Sequence, residues 1–211
     1  MNRDSLIEVK VIRHAEQNTS NWSGGTTTEL SIWPDGADYK ERRFDWRISS
    51  ARVDLDESTF TALPGIHRSL MILEGAIHLI HEGIRERNMT PLTTADEFEG
   101  SWTTKSTGRC VDFNLMTSDK CRGAIETVEP KCSAIRLFEE EHGETWETFY
   151  CLASSINLTI KSERYREDIC LMQGDFLKIS KKSPLQLEYN LVIKEIFDKA
   201  PMVRTTVYRL K

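Results

Sequence analysis

The stretch Phe44-Asp45-Trp46-Arg47-Ile48-Ser49-Ser50-Ala51-Arg52-Val53 (FDWRISSARV, residues 44–53) alternates apolar and polar side chains with a period of two from Phe44 to Ser49. On a strand, successive side chains point to opposite faces, so Arg47 and Ser49 share one face while Trp46 and Ile48 take the other. Two more stretches repeat the pattern. Thr27 and Glu29 stand two apart, and Asp112 and Asn114 are interleaved with Val111, Phe113 and Leu115. The apolar positions are expected to pack on a second sheet, which leaves the polar ones lining the inside of a barrel. An arginine, two acids and an amide buried without partners would cost several kcal/mol per charge. Such a lining predicts internal partners, water or a bound ligand.

Elsewhere the chain is written in short strands. Ile7, Val9 and Val11 alternate with Glu8 and Lys10, and Val203, Thr205 and Val207 alternate near the end. Residues 18–28 read as loop passing into strand, and Pro34 to Arg43 reads as a second loop. Leu63-Pro64-Gly65 breaks the pattern before Ser69–Leu73, and Glu74-Gly75 is expected to turn that segment into Ala76–Ile80 as a hairpin. Trp102–Thr107, Cys110–Met116, Phe149–Ile160, Asp168–Met172, Phe176–Ile179, Leu185–Ile196 and Val203–Leu210 supply further strands, and Leu191–Phe197 is read as strand rather than helix. Glu139, Glu140, Glu141 and His142 read as a solvated loop. The fold class is all-β with few short helices. Two comparable halves, 1–116 and 117–211, predict two barrel-like units with the polar lining in the first.

With 211 residues the chain is long enough for one large or two small β cores. Its apolar share of 39% and charged share of 29% are those of a soluble globular protein, and no apolar run is long enough to span a bilayer. No export signal is legible after Met1, so a cytoplasmic location and no membrane partner are expected. A formal charge of −5 without a clustered basic block argues against nucleic acid. The five cysteines, Cys110, Cys121, Cys132, Cys151 and Cys170, form no CxxC pair and read as reduced thiols rather than nucleophiles or zinc ligands.

The strings WSGGTTTEL from Trp22, FDWRISSARV from Phe44, FTALPGIHRSLMILEG from Phe60 and DFNLM from Asp112 together resemble the HutD/Ves family of bicupin proteins. The resemblance spans the first 120 residues or so, with LMQGDFLKI as its main echo later. It implies two cupin-like jelly-roll β-barrels in one chain, and a link in some members with histidine utilisation through a regulatory or ligand-sensing role. Carried onto this sequence, it points to Trp22, Thr27, Glu29, Arg47, Ser49, Arg68, Asp112 and Asn114 as ligand-binding residues. Ser23-Gly24-Gly25-Thr26 departs from the longer, asparagine-bearing segment of many relatives, and His67 stands where relatives often carry an acidic or small residue.

The metal-cupin pattern of two histidines two apart is absent. His78 and His81 are three apart, which on a strand sends them to opposite faces, and His14 and His142 read as surface groups. His67 retains a route to a metal site only if it meets Glu29 or Asp112 in space. No metal and no cofactor are therefore expected. Arg68 or Arg47 would hold a carboxylate through paired hydrogen bonds, and the other arginine would neutralise Glu29 or Asp112. Trp22 is either core or a lid. No nucleophile elbow marks a serine, and no reaction is assigned. The expected partner is a small carboxylate metabolite, with a homodimer as a further option. The alternative is a cupin enzyme, whether isomerase, hydrolase or oxygenase, whose metal ligands the sequence does not reveal.

Overall fold

A computed structural model describes residues 6–129, 134–139, 143–183, 187–198 and 200–211. Cys132, Glu140, Glu141, His142 and Leu185 lie outside them. In chain order the strands are β1 (Glu8–Ile12), β2 (Asn18–Trp22), β3 (Gly25–Trp33), β4 (Trp46–Val53), β5 (Glu57–Thr59), β6 (His67–Gly75), β7 (Ile77–His81), β8 (Arg85–Met89), β9 (Asp96–Glu99), β10 (Thr104–Thr107), β11 (Cys110–Thr117) and β12 (Cys121–Val128). They continue with β13 (Ala134–Leu137), β14 (Thr145–Cys151), β15 (Ser155–Lys161), β16 (Arg166–Met172), β17 (Phe176–Lys181), β18 (Tyr189–Ile196) and β19 (Met202–Arg209). The helices among the described residues are two single 3-10 turns, His14–Glu16 and Tyr39–Glu41. No helix there is long and apolar enough to cross a membrane.

The chain forms two compact units. The first, Gln17–Ile125, carries a six-stranded sheet in the order β2-β3-β4-β11-β6-β9 and a four-stranded sheet in the order β5-β10-β7-β8. Its pairings are antiparallel. Leu70 and Ile72 of the larger sheet meet Ile77, Leu79 and Met89 of the smaller in an apolar cluster that also holds Phe98 and Cys110. The opposite face of the larger sheet buries Trp46, Ile48, Phe113 and Leu115, as the alternation in FDWRISSARV and DFNLM predicts.

The second unit combines Met1–Glu16 with Glu126–Lys211. Sheets β1-β17-β14-β19-β12 and β13-β18-β15-β16 enclose an apolar core that includes Phe149, Ile156, Leu158, Leu171, Leu177 and Leu191. The sequence-based division at 116/117 puts β1 in the first unit, whereas β1 pairs with β17, from Glu8 opposite Ser180 to Ile12 opposite Phe176. Alternation identifies a strand but does not name its partner, so this placement was invisible in the sequence.

Two other expectations are corrected. Segments 69–73 and 76–80 are consecutive strands but do not pair. β6 lies between β11 and β9, while β7 lies between β10 and β8 in the other sheet. Gly75, at φ 78°, carries the chain from one sheet to the other, and a Cβ there would sit 2.3 Å from the Arg109 carbonyl oxygen. Phe149–Ile160 is divided between β14 and β15 by a break at residues 152–154.

Gly75→Ala combines a left-handed backbone with that clash, so we expect a loss of at least about 2 kcal/mol in urea denaturation. An unchanged midpoint would contradict the role given to this corner.

Candidate functional site

The polar face of the first barrel is assembled by register. Across β3, β4, β11 and β6, Glu29, Ser49, Asn114 and Leu70 form one row, and Thr27, Ala51, Asp112 and Ile72 form the next. A third row places Arg47 opposite Met116, and Met116 opposite Arg68. Residues directly opposite in antiparallel strands share a face, so these side chains point the same way as Leu70 and Ile72, into the barrel.

They face a cavity of about 490 Å³. Of the residues that the sequence singled out, Trp22, Thr27, Arg47, Ser49, Arg68, Asp112 and Asn114 line it. Glu29, on the same face, is not among the lining residues and is the partner of Arg47, whose Nε donates to Glu29 Oε2 at 2.8 Å and whose Nη1 donates to Ser49 Oγ at 3.0 Å. The Arg47 guanidinium also lies 4.3 Å from the centre of the Tyr39 ring, which carries Arg42 at 4.1 Å. Arg47 is therefore the arginine already neutralised.

Arg68 is different. It is buried, with its guanidinium 4.9 Å from the Phe60 ring and 5.1 Å from Phe98, and its Nε has no hydrogen-bond partner. With the Asn114 amide turned so that its oxygen faces Arg68, that oxygen accepts from Nη2 at 2.5 Å, and the amide nitrogen donates to the Leu115 carbonyl at 3.3 Å. Burial lowers the Arg68 pKa to about 10, despite the nearby Asp112, so the group stays charged at neutral pH.

Asp112 forms the other half of this arrangement. Oδ1 is buried without a partner, and among the described residues no cation lies within ion-pair distance of the carboxyl. Burial raises its pKa to about 7, against the lowering effects of Arg68, a hydrogen bond from the Ala51 N–H and Arg47. Cys110, on the same face, has its thiol pushed up to about 12 by burial, which keeps it protonated and a poor nucleophile.

Trp22 stands at the mouth, 40% exposed, and is neither core nor a closed cover. Gly24 makes room for its ring, since a Cβ there would lie 2.1 Å from Trp22 Cζ3. The sequence reading missed Tyr39, Lys40, Phe60 and Ser106 as lining residues. Tyr39 and Lys40 sit on a 3-10 turn capped by the Asp38 carboxylate, which accepts from the Lys40 N–H at 2.8 Å. Asp38 was the available signal within a segment that otherwise reads as a charged loop.

The histidines lie elsewhere. His67 Nδ1 is 3.0 Å from Glu99 Oε1 and does not meet Glu29 or Asp112. His78 pairs with Asn88 and Glu86 at the surface. His81 is enclosed, with Nδ1 2.9 Å from Thr104 Oγ1 and Nε2 2.8 Å from Asp96 Oδ2, so both ring nitrogens are engaged. Burial works to raise the Asp96 pKa, but hydrogen bonds with His81, Arg85 and Arg87 hold it below the ordinary value. Among the described residues no group of three His, Cys, Asp or Glu side chains is arranged to hold a metal.

The sequence profile of the HutD family matches residues 14–194. The chain belongs to the HutD family. Its fold is similar to that of a conserved protein of unknown function from Pseudomonas aeruginosa PAO1, with a TM-score of 0.75, 20% identity, and 97% and 100% of the two chains covered. It is also similar to HutD from Pseudomonas fluorescens SBW25, solved in a formate condition, with a TM-score of 0.69, 18% identity and the same coverage. A variant of Bacillus subtilis oxalate decarboxylase shares the architecture at a TM-score of 0.57 and 9% identity, over 94% of this chain and 76% of that one. No curated protein matches the chain. The all-β, two-barrel architecture is thus that of a HutD-type bicupin.

The Asp112 carboxyl has a consequence for stability. The native state keeps its proton up to about pH 7, whereas an unfolded aspartate releases it near pH 4. The folded form therefore binds more protons in that window. This contribution to stability is complete below about pH 4 and is lost as pH rises through 7. Asp112→Asn is expected to flatten the pH profile and to exceed the wild type by about 2–4 kcal/mol at pH 8 in urea denaturation. Superimposable profiles would refute this.

Proposed function

We propose that the first barrel is a receptor for a small carboxylate-bearing metabolite, held without a metal ion. The observation that carries this reading is the buried Arg68, whose Nε faces no acceptor on a cavity wall. A planar guanidinium matches the two oxygens of a carboxylate, and such charge-assisted pairs are stronger than neutral ones. Asn114, Thr27 and Ser49 add neutral donors and acceptors along the same wall. A cavity of about 490 Å³ suits a metabolite rather than a polymer. The engagement of Arg47 by Glu29 and Ser49 leaves Arg68 as the receptor.

Among the described lining residues, burial holds the Cys110 thiol protonated, and the donor capacity of Arg68 on the cavity wall supports binding as the role. Family membership supports a contribution to histidine utilisation by sensing or sequestering its ligand, in the cytoplasm.

Calorimetry with formate, urocanate and formylglutamate tests the receptor. Arg68→Ala should weaken binding of the recognised acid by more than about 1.5 kcal/mol, roughly tenfold in Kd. Arg68→Lys, which keeps the charge and loses the planar fork, should fall between. Wild-type affinity in a folded Arg68→Ala protein would overturn the assignment.

A further inference from the structure

Asp112 is an unexpected residue to find in a receptor for an anion. It stands on the same face as Arg68 and Asn114, one row from Asn114, and its Oδ1 is buried with no partner. A carboxylate drawn in by Arg68 comes to rest beside a second carboxyl in a poorly hydrated wall. Two ionised carboxylates at close range repel strongly where water is excluded, and such pairs resolve the conflict by sharing a proton.

We propose that Asp112 is a proton-carrying part of the receptor, so that each carboxylate ligand enters together with one proton held on Asp112. This rests on the reading of the pocket as a carboxylate receptor. The proton comes from solvent and bonds to the Asp112 carboxyl, whose O–H donates to a ligand carboxylate oxygen while Arg68 donates to the ligand carboxylate. On release of the ligand, the proton returns to solvent. No other bond changes, and the charge of the bound state stays that of one carboxylate facing one guanidinium.

The charged and titratable surroundings single out this residue. Arg68 on β6 and Arg47 on β4 are the cations of the sheet wall, and Arg47 is committed to Glu29. Cys110, on the same strand as Asp112, stays a neutral thiol through burial. The turn before β4 adds Tyr39 and Lys40, while β5, β7 and β10 contribute no titratable side chain to the lining. Asp112 is thus the acid in this lining, and burial already holds its carboxyl near neutrality, so that uptake at physiological pH needs no large rearrangement. Protonated, it is a hydrogen-bond donor; ionised, it can only accept.

Formate is the probe, because it is ionised at neutral pH and brings no proton of its own. Calorimetry of the full chain at pH 7.5, in two buffers of different ionisation enthalpy, reads the protons taken up per formate bound. We expect uptake of more than half a proton, and an affinity that falls about tenfold between pH 6 and pH 8, as the competent fraction falls. Asp112→Asn, whose amide donates without titrating, should bind formate with no net uptake and with the same Kd across that range.

Formate binding to the wild type with no dependence on buffer or pH would overturn the proton linkage and leave the receptor reading intact. Loss of binding in Arg68→Ala alongside that result would confirm that the two had separated. Absence of binding by formate, urocanate and formylglutamate alike would overturn both. Should Asp112→Asn fail to fold, the two-buffer slope of the wild type decides alone.

Discussion

Antiparallel register across β3, β4, β11 and β6 is the constraint on which the site depends. Each strand alternates its side chains, but the pocket exists because four alternations are in phase, so that Ser49, Asn114 and Leu70 fall in one row and Ala51, Asp112 and Ile72 in the next. A slip of one residue in β11 would point Asp112 and Asn114 away from the cavity and bring Val111, Phe113 and Leu115 into it. The buried reverse face, with Trp46, Ile48 and Phe113 inaccessible to solvent, resists such a slip. The polar lining and the apolar packing are therefore two results of one alignment.

The two barrels answer the problem of an internal arginine differently. In the second, Arg204 shares its face with Phe149 and Met202, and its Nε and Nη2 donate to the two oxygens of Glu147, each at 2.9 Å. Nη1 donates to Glu126 at 2.8 Å, and Thr206 donates to Glu147 at 3.0 Å. Burial acts to lower the Arg204 pKa, but the hydrogen bonds and charge of Glu147 outweigh it and the value is raised. In the first barrel, Arg68 and Asp112 share a face without forming such a bond, and each keeps an unsatisfied atom. A closed ion pair stabilises a core, whereas a separated one leaves donor capacity for something else.

Much of this was legible in the chain. Period-two alternation located β1, β4, β11 and β19, the Leu63-Pro64-Gly65 break located β6, and the polar pairs at 27/29, 47/49 and 112/114 fell on the inner side of one sheet as their spacing required. Less legible were β2, whose five residues are all exposed, and β8 and β9, whose charged text resembles loop. An edge strand such as β2, with both faces wet, carries no hydrophobic period to read, and in β9 the buried face alternates but holds the charged Asp96 beside Phe98, which hides the period. The pairing of β1 with β17 and the passage of β6 into the opposite sheet are long-range choices, fixed by what each apolar face must cover rather than by local spacing. Which arginine would be free was likewise undetermined, since it depends on the reach of Glu29 across β3 and β4.

Trp22 gives the pocket an optical property of its own. Its indole is exposed to solvent at the mouth, with Gly24 beneath it, while Trp46 and Trp146 are sealed from water. An occupant that dries this ring changes the emission of the fluorophore nearest the entrance and leaves those two unchanged. The barrel thus carries an intrinsic spectroscopic gauge of whether its cup is filled.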